Sequence, residues 1–532
     1  MATMNRLSVV LFLCVVLASS VIPAEARRLD QSGLQPPCAA GSRRGPSSTQ
    51  DAYLLPYPNT SDASFVAILS VGDTAANGYQ LVGIPDGLGA YVDEDADQNT
   101  FNLLMNHENG DTVGAVRSHG APGAFVSKWT TERSTLAVLK GEDLIKKVWA
   151  WNRTSKSYRD PNAAGSTPVA MARFCSATLA EQSALYNRES GKGTKDMIFL
   201  NGEEDGTDGR AFAHIVTGPY AGNTFELPHF SNAGFENIVP HPNLKKLEDI
   251  EGAADKTVVM ALDDNGHNRV FVYVGDKSTT GTPVEKAGLF GGKLYVIYLE
   301  NISDEINNGG SLVAGDTVPF TAVLLGEDLS GADGSGAALR SRFLPVNNPN
   351  PPADPKNTKF DRPEDGAWDP KNPHIFYFAV TAAFSVPGRH SRIWKLNFED
   401  PTLTTSNHGQ ATVLINGPDG ADISGPKMMD NVGMNEKGDI MIIQEDVGNQ
   451  RHLGRVWEYN LKTESLIPIG QHNPAFFSFP AVKTTDEESS GVIMAEDVLG
   501  DGWWLLDVQA HKQLPNNLVE DGQLLAMYTG KC

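Results

Sequence analysis

Ile375-Phe376-Tyr377-Phe378-Ala379-Val380, then Arg392-Ile393-Trp394-Lys395-Leu396-Asn397-Phe398: an unbroken apolar run, a turn, and a run in which apolar and polar residues alternate. Asp439-Ile440-Met441-Ile442-Ile443-Gln444 followed by Arg455-Val456-Trp457-Glu458-Tyr459-Asn460-Leu461 repeats the arrangement. A period of two sends successive side chains to opposite faces of an extended chain, and a short continuous apolar run suits a strand covered on both faces. Each pair reads as an inner strand leading through a turn to an alternating one, part of a β-meander.

The alternating run opens with a basic residue, an aliphatic or small residue and an aromatic. The same triplet occurs as Lys147-Val148-Trp149, Arg210-Ala211-Phe212, Arg269-Val270-Phe271 and, outside the spacing, Lys293-Leu294-Tyr295. Starts at 147, 210, 269, 392 and 455 are separated by about sixty residues or twice that, which fits a propeller blade with generous loops. With 52 glycines and 32 prolines among short apolar runs, long helices should be few. Among the few short helices expected, the clearest spans Leu179 to Tyr186. The expected fold is all-β, a β-propeller of five to six blades, forming a single domain over residues 51–532.

Seven acid-rich clusters punctuate this pattern: Asn106-His107-Glu108, Asn201-Gly202-Glu203-Glu204-Asp205, Ile250-Glu251-Gly252, Arg362-Pro363-Glu364-Asp365, Gln444-Glu445-Asp446, Asp486-Glu487-Glu488 and Ala495-Glu496-Asp497. Acids recurring once per structural unit suggest a ring of strands aiming carboxylates at one centre, and crowded carboxylates take up protons or bind cations. In Arg362-Pro363-Glu364, the guanidinium can grip a phosphate or carboxylate with two parallel hydrogen bonds, beside a hard oxygen ligand. Asp263-Asp264-Asn265-Gly266 reads as a turn between strands.

The chain begins with Arg6, an apolar core from Leu7 to Ile22 and Ala24-Glu25-Ala26, the pattern of a secretory signal over residues 1–26. A flexible leader is expected over 27–50. No other segment suits a membrane span, so a secreted chain is expected. The formal charge of −22 argues against nucleic acid and anionic membranes as partners. Without Cys14 of the signal, Cys38, Cys175 and Cys532 remain, an odd number that implies a free thiol. A disulfide between Cys38 and Cys532 is plausible, leaving Cys175 as a metal ligand or an inert buried thiol. Sequons at Asn59, Asn152 and Asn301 suit an exported glycoprotein.

Taken in order, Asn106-His107-Glu108, Phe174-Cys175-Ser176, Gly202-Glu203-Glu204, Glu251-Gly252-Ala253, Arg362-Pro363-Glu364-Asp365 and Asp430-Asn431 resemble the signatures of the PhoX-type alkaline phosphatase family, from roughly residue 60 to 515. The resemblance implies a propeller holding two iron ions bridged by a cysteine thiolate, calcium ions nearby, and hydrolysis of phosphate esters. It implies that Cys175 bridges, that Glu203, Glu251 and Glu364 bind iron, that Glu108 and Glu204 hold metal, and that Arg362 binds phosphate. Asn106 joins Arg362 as a candidate catalytic residue, and Glu445, Asp446 and Glu488 complete the candidate metal set. Thiolate suits iron, and hard carboxylates suit ferric iron and calcium. The segment after Cys175 and the Ile250-Glu251 pair depart from the family pattern, as in a divergent subgroup. The rival readings are a non-catalytic calcium-binding secreted propeller and a calcium-dependent lactonase or esterase.

Overall fold

The computed structural model describes Leu34, Gln35, Pro37 and residues 40–59, 62–93, 97–343, 356–480 and 483–530. The signal segment, Cys38, Cys532 and their expected disulfide lie outside the described residues, as does most of the Asn59 sequon.

Among the described residues the strands form six four-stranded antiparallel meanders. In chain order their inner strands are Pro85–Tyr91, Phe174–Leu179, Phe235–Pro240, Pro363–Trp368, Met429–Met434 and Glu488–Met494. Each inner strand packs against the next, and the sixth packs against the first, so the strands encircle a common axis in a propeller-like fold. Thr317–Gly326 hydrogen-bonds both Lys293–Leu299 and His408–Asn416, joining the third and fourth meanders into one nine-stranded sheet. The sixth meander takes its fourth strand, Ser64–Ser70, from the other end of the chain. Backbone hydrogen bonds thereby close the ring.

Apolar cores fill the spaces between meanders. Leu104, Val126, Phe174, Phe199 and Phe212 pack between the first and second, and Phe65, Ile442, Leu506 and Val508 between the fifth and sixth. Burying one such side chain contributes roughly 1.5–3 kcal/mol, so these cores fix how the inner strands face one another.

Four expectations change. Ile375–Val380 and Ile440–Glu445 are second strands; the inner strands beside them are the polar Pro363–Trp368 and Met429–Met434. Second strands lie between neighbouring meanders and are apolar on both faces, whereas inner strands border a polar axis. The basic-x-aromatic triplets at 210, 269, 392 and 455 do begin third strands, but Lys147–Trp149 is an added edge strand, parallel to Asn223–Glu226. The helix is one turn, Gln182–Leu185, because Phe174–Leu179 is hydrogen-bonded into the second meander. Within the expected leader, Gly41–Arg44 pairs in parallel with Ser64–Ser70. No helix among the described residues is long and apolar enough to cross a membrane.

Candidate metal centre

Every inner strand breaks register with its neighbour near its start: at Asp86/Leu88, Phe174/Ala177, Phe235/Asn237, Pro363/Gly366, Met429/Val432 and Ser490/Ile493. A β-bulge bends the strand and re-aims a side chain. The second residues of these strands are Asp86, Cys175, Glu236, Glu364, Asp430 and Ser489, five potential metal ligands and a serine, all buried.

Three sets of these groups bring donor atoms within 4.8 Å of one another: Asp86, Glu108 and Cys175; Cys175, Glu204 and Glu236; Glu236, Glu364 and Asp430. Cys175 links the first two sets and Glu236 the last two, so they form one continuous cluster. The Cys175 thiol lies 3.2 Å from Glu204 Oε2. Third residues make a polar floor: Asn431 donates to Ser176 Oγ at 2.5 Å, Ser176 donates to Glu236 at 2.7 Å, and Asn237 donates to Asp365 at 2.5 Å.

Two arginines stand at the edge of the cluster. Arg362 donates from Nε and Nη2 to the two oxygens of Asp264 at 3.0 and 2.9 Å, and its Nη2 lies 3.2 Å from Glu364. Arg173 lies 3.0 Å from Glu108 and also pairs with Glu204. Each immediately precedes an inner strand and has a left-handed backbone, φ +44° at Arg173 and +67° at Arg362. That conformation costs about 1 kcal/mol in a non-glycine residue, and here it swings each guanidinium back toward the acids. Both side chains are partly exposed, 44% and 38%.

Burial, then like-charge neighbours, pushes Asp86, Glu236, Glu364 and Asp430 well above the ordinary carboxylate range. Burial and then Glu108 do the same to the Cys175 thiol. Asp264 is pushed up to about 6 by burial, against the pull of Arg362. Glu364 raises Arg362, and Glu108 raises Arg173. So dense a set of acids is stable only with protons or cations among them.

Cys175, Glu108, Glu204 and Glu364 thus meet at the cluster, with Arg362 beside Glu364. Asp446 and Glu488 border it: Asp446 bridges to Glu488 through the backbone, and Glu488 raises Asp86. Other expectations are corrected. Glu203 accepts from Ala172 N, Arg210 N and the Arg210 guanidinium, which ties down both its oxygens. Glu445 is likewise filled by Lys427 N, Arg455 N, His452 and Trp457. Glu251 is exposed in the turn before Lys256–Asp263. Register pairs Asp263 with Phe235 at the cluster end, which puts Glu251 at the opposite end of the sheet. The Glu496-Asp497 cluster follows the far end of its inner strand in the same way. Asn106 is fully buried; it donates to the Cys175 carbonyl at 2.5 Å and accepts from Asn201 at 2.8 Å, so it positions the Cys175 backbone.

The sequence reading missed Asp86, Glu236, Asp264 and Arg173, and it left Asp430 out of the ligand set. Pro85-Asp86-Gly87, Phe235-Glu236-Asn237 and Met429-Asp430-Asn431 share one signal with Pro363-Glu364-Asp365: an apolar residue, an acid, then a small or polar residue opening a strand.

Among known proteins, solved structures align over most of the chain. PhoX of Pseudomonas fluorescens, solved in complex with vanadate, a transition state analogue, matches with TM-score 0.61 and 11% identity, covering 92% of this chain and 98% of that one. The fold is that of PhoX. An oligogalacturonate lyase from Vibrio parahaemolyticus aligns more distantly, with TM-score 0.28 and 8% identity over 85% of this chain and 99% of that one. No known family profile and no curated protein matches the sequence. The likeness to PhoX therefore lies in the fold, with little of the sequence retained.

Proposed function

We propose that this chain is a divergent PhoX-type phosphoric ester hydrolase, exported by its N-terminal signal, whose six meanders are the six blades of a propeller. The carrying observation is Cys175: a buried sulfur shared by two carboxylate sets, with two arginines at the rim, in a chain that aligns with PhoX almost end to end.

The donor set suits the metals of that family. Cys175 with Glu204 and Glu236, and Glu236 with Glu364 and Asp430, would hold iron; Asp86 and Glu108 add hard oxygens suited to calcium. Bound iron and calcium would offset the crowded negative charge and polarise phosphoryl oxygens as Lewis acids. Arg362, held by Asp264, offers its guanidinium to the non-bridging oxygens of a phosphate ester and orients the phosphorus toward the cluster. Arg173 sits across from it on the Glu108 side. Thr381 donates to Glu364 at 2.6 Å and fixes that carboxylate. The polar floor keeps Ser176, Asn237 and Asn431 from competing for substrate, since their side chains are already paired.

Elemental analysis of purified protein together with hydrolysis of a chromogenic phosphate monoester tests this. Iron with calcium and measurable turnover are expected, both lost in Cys175→Ser. Calcium without iron and no phosphate release would sink the proposal.

A further inference from the structure

Among the buried polar atoms without a partner, one group stands beside the cluster on the sixth meander. Asp507 is fully buried on Trp503–Gln513, the second strand of the sixth meander, and neither carboxylate oxygen has a hydrogen-bond partner. Two residues along the same face, fully buried Gln509 donates from Nε2 to Asp86 Oδ2 at 3.0 Å, while its Oε1 accepts nothing. That amide is oriented by Asp86, so its oxygen is the end left over. Register places Ser490 opposite Asp507 and Glu488 opposite Gln509, and Glu488 is the charged group that bears on Asp507. Three orphaned acceptor atoms on one strand face, with no donor among them, are costly to bury unless something positive sits there. An unpartnered buried polar group costs about 1–3 kcal/mol, and more when charged.

The surroundings keep the spot open. Gly491 has φ +64°, and a Cβ there would come within 3.0 Å of Asp507 Oδ2 and 3.1 Å of Leu88. Leu88 belongs to the first meander and Asp507 to the sixth. The orphaned acceptors therefore lie at the junction where the C-terminal meander meets the first.

We propose that Asp507, Gln509 Oε1 and Glu488, on the sixth-meander side of the cluster, form a further cation site that binds one calcium ion and pins the first meander to the sixth. Every donor is a hard oxygen, from carboxylate and amide, which selects calcium-class ions over iron or zinc; the His511 imidazole, 3.4 Å from Glu488 and 3.0 Å from Glu520, is held between those two carboxylates. Asp507 and Gln509 are sealed from solvent, so the ion exchanges slowly. The role is structural and does not rest on the phosphoesterase reading.

The test uses the full-length protein. Crystals grown with calcium should show an anomalous peak between Asp507 and Gln509, and terbium should replace it there. Asp507→Asn, which keeps the shape and removes the charge, should lower the calcium content by one equivalent per chain at unchanged iron. It should also reduce the rise in melting temperature that calcium gives over chelator. A water or no density beside Asp507 in wild-type crystals overturns the proposal even if the variant fails to fold, and so does an unchanged calcium count in a folded variant. Iron content and phosphate release are measured on the same wild-type protein, so a failure of the hydrolase reading is seen separately.

Discussion

Glu203 and Glu204 are neighbours in sequence and part company in space, and the same is true of Asp263 and Asp264 and of Glu445 and Asp446. The first acid of each pair ends a second strand and works as a strut. It accepts from the backbone just ahead of the inner strand and from the backbone opening the third: Ala172 and Arg210 for Glu203, Gly234 and Arg269 for Asp263, Lys427 and Arg455 for Glu445. The second acid turns to the mouth, where Glu204 meets Cys175 and Asp264 holds Arg362. Alternation along an extended chain enforces the split. An acid surrounded by amide donors is satisfied and has nothing left to offer a metal, whereas one facing other acids is unsatisfied and available. The number of donors, and not the number of carboxylates, separates scaffold from site.

The sharpest way to break this contrast is Glu236→Gln or Asp430→Asn at the mouth. Phosphate ester turnover should fall by about 10³-fold or more, with iron lost on elemental analysis; wild-type metal content would remove these residues from the ligand set. Arg362→Lys keeps the charge but not the two-pronged grip, and kcat/KM should drop about 10²-fold at unchanged metal content.

Stability against pH separates the layers next. In metal-stripped protein the mouth acids have raised folded values, Asp264 to about 6 and Glu488 to about 7, against ordinary values of 3.8 and 4.5. The folded chain then binds more protons than the unfolded one between pH 4 and 7, so its stability should decline as pH rises through that window. A melting series that rises with pH there would contradict the crowding. Glu445→Gln in the strut layer should cost about 2–3 kcal/mol in denaturant unfolding and leave metals in place. Glu251→Gln, at the far end of the sheet, should change stability by less than about 0.5 kcal/mol and activity not at all.

Much of this was legible in the sequence. Alternation and the sixty-residue spacing mark the meanders, because third strands open with a basic residue that anchors locally: Arg210 on Glu203, Arg392 on Glu305. Arg362, Glu364 and Cys175 stand in the motifs on which the resemblance rests, and the fold brings all three to the cluster. What stayed hidden depends on register. Nothing in Glu203-Glu204 says which acid faces inward, and Phe235-Glu236 reads as an ordinary strand start until a bulge turns it toward the axis. Glu251 attracted attention as a Glu-Gly pair in the expected order of motifs, although Ile250 before it departs from the family pattern. The acid that the third meander does bring to the cluster is Glu236, fifteen positions earlier.

The strand Ser64–Ser70 finds its partner, Glu520–Tyr528, only near the end of the chain. During synthesis the edge that Glu520–Tyr528 will cover stays unpaired until that strand has emerged. Glu488 and the sixth meander arrive equally late, so no partial product can assemble the whole pocket. A chain cut short of Glu520–Tyr528 would leave Ser64–Ser70 without its antiparallel neighbour, the ring unzipped and the acids of the six meanders unable to converge.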